Sequence, residues 1–92
     1  MAQVLHVFLK PKNGVTKEQV EEKMNLAVDW YRYVDNTWLV YTTSDIDKWQ
    51  TRLLPLAEPD GSLAILRVDP TARQGWMTQP FWDWLKKYES AI

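Results

Sequence analysis

Ninety-two residues, 46% of them hydrophobic and 25% charged, suffice for one modest core, because a chain of this size buries roughly 60–65% of the surface it exposes when unfolded. One domain spanning residues 1–92 is expected. Eleven Lys and Arg against twelve Asp and Glu leave a formal charge of −1, without the basic excess that draws a protein to phosphate backbones, and the lack of cysteine excludes disulfides, thiolate metal sites and a cysteine nucleophile.

Val4–Leu9 is a short apolar run closed by Lys10-Pro11-Lys12-Asn13-Gly14, whose Pro and Asn-Gly are turn chemistry. It reads as the first strand. Alternation sends Leu5, Val7 and Leu9 to one face and Val4, His6 and Phe8 to the other. The second set holds the polar residue and is expected to face away from the helices. Thr16 with Gln19 three residues on is a capping box, so a helix is expected from Thr16 or Lys17, burying Val20, Met24 and Ala27. Trp30–Val34 and Thr37–Thr43 are aromatic and β-branched, and Asp35-Asn36 between them makes a hairpin.

Ser44 or Asp45 can cap a second helix carrying Ile46, Trp49, Leu53 and Leu56 at helical spacing, with Pro55 expected to shorten or bend its end. Pro59-Asp60-Gly61 turns into Leu63–Val68, an almost continuously apolar strand expected at a central position in the sheet. After an irregular Thr71–Gln79 stretch, Pro80 opens a last helix with Phe81, Trp84, Leu85 and Tyr88 on one stripe. The order β-α-β-β-α-β with a terminal helix is the split βαβ pattern, so the expected fold is an α+β, ferredoxin-like sandwich with an extra C-terminal helix. Two helices cover one sheet face in that arrangement, and function is sought on the other. The fold alone names no activity.

Catalytic patterns are scarce. One histidine, His6, cannot build a His-rich metal centre, no Ser or Thr stands in a nucleophile elbow, and three scattered glycines make no phosphate loop. Asp45 and Asp47 suit a helix start better than a cation. The expectation is a protein without catalytic residues, metal or cofactor. Six tryptophans are an excess in so short a chain, and Trp is enriched at binding interfaces. Trp49 and Trp84 lie at core spacing, whereas Phe8, Trp38, Trp76, Met77 and Trp82 are the candidate interaction surface. Arg73-Gln74-Gly75-Trp76-Met77 reads either as an exposed binding loop or as a loop tucking Trp76 and Met77 over the sheet edge, the second being the simpler account.

Phe8 with Trp38 or Tyr41 could stack bases as the RNA-recognition motif does, but Asp35–Tyr41 has neither the leading cation nor the glycine of that motif's signature. Lys10, Lys12 and Lys17 cluster around the first loop, and Lys10, Lys12, Arg32 and Arg67 are the cations an alternative nucleic-acid reading would use. Met1–Leu9 shows no basic n-region or cleavage site, and no apolar run approaches the ~18 residues of a membrane span. A soluble, cytoplasmic protein without membrane contact is expected.

Asp35-Asn36-Thr37-Trp38-Leu39-Val40, Leu53-Leu54-Pro55-Leu56, Asp60–Val68, Gly75-Trp76 and Trp84-Leu85 together resemble the SinR-like small proteins, relatives of the CRISPR-associated adaptation nuclease. The resemblance spans about Val28 to Lys87 and implies a ferredoxin-like subunit that assembles as a homodimer through strand edges or sheet faces. The nuclease relatives carry an acidic residue at the end of strand one, where this chain has Leu9-Lys10-Pro11-Lys12. Lysine and proline cannot ligate magnesium, so metal-dependent cleavage is not carried over. The expected function is that of a non-enzymatic interaction or regulatory protein, its partner itself or another protein. The alternative is weak nucleic-acid binding or residual nuclease activity.

Overall fold

The computed structural model describes residues 2–90, in the order β1 (Gln3–Lys10), α1 (Lys17–Met24), β2 (Asp29–Val34), β3 (Thr37–Thr42), α2 (Ile46–Ala57), β4 (Ser62–Val68) and α3 (Gln79–Glu89). Local chemistry sets the element ends. Thr16 caps α1 through the full reciprocal box, its hydroxyl accepting from the Gln19 amide at 3.2 Å while its own amide donates to Gln19 Oε1 at 2.8 Å. Asp45 caps α2 by accepting from the Lys48 amide at 2.8 Å. In the β2–β3 turn Asn36 takes φ 63°, a left-handed conformation that Asn tolerates better than most residues.

Two local expectations need correction. Helix α1 stops at Met24, so Ala27 packs on the core from beyond the helix end. Helix α2 is not shortened at Pro55 but runs on to Ala57.

The four strands form one antiparallel sheet in the order β2-β3-β1-β4, the ferredoxin-like arrangement with a C-terminal helix. Strand β4 is therefore an edge, not a central strand. Its continuous apolar run reflects side chains on both faces, which says nothing about how many neighbours it has within the sheet.

The face carrying Leu5, Val7 and Leu9 packs against α1 and α2, where Val20, Met24, Trp49, Leu53 and Ala57 close the main core. Trp49 is fully buried and donates from Nε1 to Thr42 Oγ1 at 3.0 Å, tying α2 to β3. The opposite face carries a smaller core of Val4, Leu39, Trp84 and Leu85, because α3 lies there. The apolar stripe of α3 thus has a definite place: it covers part of the face that the two crossover helices leave bare.

Candidate functional site

Helix α3 is held at its two ends. Phe81 meets the Tyr33 ring edge-on with centroids 4.9 Å apart, while Tyr88 stacks on Tyr41 at 4.1 Å and 16°. The Tyr88 hydroxyl donates to Asp29 Oδ2 at 2.5 Å, and Lys87 Nζ stands 3.4 Å from the same oxygen. Tyr33 and Asp29 belong to β2 and Tyr41 to β3, so the helix is moored over the β2–β3 half of the sheet.

The half built from β1 and β4 keeps exposed apolar side chains. Register pairs His6 with Leu66 and Phe8 with Ala64, which sets Phe8 and Leu66 as diagonal neighbours on one face. Phe8 is 37% exposed and Leu66 61% exposed, and Ala64 between them is exposed too. His6 marks the border between the covered and uncovered halves. Its Nε2 and the Tyr33 hydroxyl lie 2.5 Å apart in a hydrogen bond. Burial lowers the imidazole pKa from its ordinary value and raises that of Tyr33, which favours the neutral form of both.

The segment from β4 to α3 is anchored at several points. Asp69 Oδ1 accepts from the Thr71 amide at 3.0 Å and from its hydroxyl at 2.7 Å, and these bonds hold the Asp69 carboxyl below the usual range. Arg73 Nη1 donates to Pro70 O at 2.7 Å and to Glu89 Oε2 at 2.5 Å, joining the segment to the end of α3. Gly75 adopts φ 145°, and a Cβ there would lie 3.8 Å from the Trp82 ring. Trp82 in turn meets Phe81 edge-on at 5.1 Å. Trp76, next to Gly75, projects with 98% of its surface exposed.

The structure sorts the sequence candidates as follows. Phe8 and Trp76 are exposed, Met77 and Trp82 half-buried, and Trp76 is not tucked over the sheet edge. Trp38 leaves the group: it pairs with Val7, faces the two crossover helices and is 3% exposed. Its parity places it opposite to Phe8, so the two rings cannot form one stacking platform.

The four candidate cations are not gathered. Lys10 shares the face of Phe8, Lys12 is half-buried in the loop after β1, Arg32 lies over the Trp38 ring at 5.4 Å, and Arg67 stands opposite Leu5 on the helix-covered side. Leu66, Ala64 and the His6–Tyr33 pair were not singled out by sequence. Leu66 shares a parity with Phe8 only once the β1–β4 register is known.

Among the described residues no three His, Asp or Glu side chains converge as metal ligands, and no helix is long and apolar enough to cross a membrane. No protein-family model matches the chain, and no curated protein or solved structure matches it significantly.

Proposed function

We propose that the protein is a non-enzymatic interaction module that assembles as a homodimer through the uncovered β1–β4 half of the sheet and Trp76. The observation that carries this reading is a tryptophan 98% exposed on a segment that the Arg73–Glu89 ion pair joins to α3. Holding so large an apolar side chain in water is unfavourable, whereas burying it at an interface contributes roughly 1.5–3 kcal/mol, and preordering its loop lowers the entropic cost of binding.

Strand β4 adds a second reason. It is a seven-residue edge without proline or lysine, and the outer rim of such a strand presents unpaired N–H and C=O groups that another strand can take up. A second copy offers the same rim in antiparallel orientation, with Leu66 and Ala64 on the shared face. The resemblance to SinR-like proteins supports the same assembly, and Lys10 and Pro11 at the end of β1 support its non-enzymatic character.

Light scattering after size-exclusion chromatography, with tryptophan emission followed on dilution, tests the reading. A dimer is expected at micromolar concentration, with Leu66→Asp monomeric and Trp76→Ala at least about tenfold weaker, equivalent to 1.4 kcal/mol. A monomer at high micromolar concentration, with emission unchanged on dilution, overturns it. Lack of quenching by single-stranded oligonucleotides at low salt removes the nucleic-acid alternative.

A further inference from the structure

On the other side of the sheet, between the loop after β1, the start of α1 and the β2–β3 hairpin, lies a cavity of about 260 Å³. Pro11, Val15 and Val20 supply apolar wall, and Trp38 lines it as well. Lys17 and Arg32 stand on its rim with one carboxylate, that of Glu21. Trp38 is 3% exposed, and its indole N–H, closed to solvent, finds no acceptor among the described residues.

We propose that this cavity binds a small amphiphilic monocarboxylate, with its apolar body on the Val15 and Trp38 walls and its carboxylate held by Lys17 and Arg32. Ligand sites characteristically pair apolar walls with a few polar groups that fix orientation. Lys17 forms no ion pair with a described residue, and Arg32 pairs only with Asp35 at 3.3 Å, whose side chain is 97% exposed. So exposed a pair is weak, and with the guanidinium lying over the Trp38 ring at 5.4 Å its other N–H donors are left to bind a carboxylate. With Asp35 counted beside Glu21, two cations face two carboxylates, and Lys17 is the cation left without an ion-pair partner among the described residues, which suits a singly charged ligand better than a phosphate dianion. The start of α1 adds its positive end to the same rim.

The test uses the six indole N–H resonances of ¹⁵N-labelled protein, with Trp38→Phe identifying the signal of Trp38. Phenylacetate is the probe, 2-phenylethanol its neutral analogue and phenyl phosphate the dianion. The Trp38 signal should move saturably with phenylacetate at a Kd of roughly 1 mM, while that of Trp84, on the opposite face, stays in place. The neutral analogue and Lys17→Gln should each weaken binding by about fivefold or more, equivalent to roughly 1 kcal/mol. Lys17 is exposed, so that variant does not endanger the fold. No saturable movement up to roughly 20 mM, equal binding of the neutral analogue, or tighter binding of phenyl phosphate overturns the proposal.

Discussion

Tyr88→Phe isolates what the hydroxyl at the end of α3 contributes. Phenylalanine keeps the stack on Tyr41 and the edge contact with Trp84 at 4.8 Å, so the change removes the bond to Asp29 Oδ2 and little else. Hydrogen bonds to charged groups contribute about 1.5–3 kcal/mol. Asp29 is 33% exposed and keeps the Trp30 amide and Lys87, which places the loss near the low end, about 1–2 kcal/mol. For a domain of this size that lowers Tm by roughly 4–16 °C.

The pH dependence gives the sharper test. Burial pushes the Asp29 carboxyl up, but the Tyr88 and Trp30 hydrogen bonds and Lys87 outweigh it, so its pKa lies below the usual value. A lowered carboxyl contributes stability above its unfolded pKa of about 3.9 and loses it as pH falls through the folded value. Tyr88 is pushed up to about 12 by burial, by its bond to the Asp29 carboxylate and that charge, and by Tyr41. Its contribution is complete below the unfolded value of about 10 and is lost as pH rises toward about 12.

Urea unfolding followed by circular dichroism, with native-state hydrogen exchange of the α3 amides, should show the full Tyr88→Phe penalty at neutral pH. The penalty should shrink in acid, once the pH has fallen through the lowered pKa of Asp29 and its carboxyl is protonated. An equal penalty at both pH values, or one below about 0.5 kcal/mol at neutral pH, refutes the view that this bond moors α3.

Two further substitutions probe the other layer and the turn before β4. Thr42→Val removes an oxygen that accepts from Trp49 Nε1 and from the Ser44 amide, both at 3.0 Å. The expected cost is about 1–3 kcal/mol, smaller in a Trp49→Phe background where only the half-buried Ser44 amide is left to strand; a urea double-mutant cycle measures the difference, and full additivity contradicts the Thr42–Trp49 pairing. Gly61→Ala would set a methyl group against the carbonyl oxygens of Lys10 and Ala57, backbone atoms that cannot turn aside. A loss of about 3 kcal/mol or more is expected, read as a fall in Tm or failure to fold, and a near-native Tm shows that the approach is looser than described.

Local chemistry made most of the elements legible. The Thr16–Gln19 box, the Asp45 cap, the Asp35-Asn36 turn and the helical spacing of Trp49 with Leu53 depend on residues a few positions apart, and each stands where the pattern places it. Alternation likewise separated Leu5, Val7 and Leu9 from Val4, His6 and Phe8 within β1. The pattern failed for β4, whose apolar run indicated a strand but not its edge position. It failed also for Trp38, since the face of one strand relative to another depends on register. A shift of one residue would have put that ring beside Phe8.

The succession of strands and helices, the caps and the apolar stripe of α3 follow from short-range sterics and side-chain periodicity, and so were readable residue by residue. That α3 rests on the β2–β3 half, that Leu66 and Trp76 stay exposed, and that Trp38 lines a cavity with Lys17 and Arg32 emerged with the folded layers alone. Those features join residues far apart in the chain, and their juxtaposition is set by packing between layers, which local pattern does not encode.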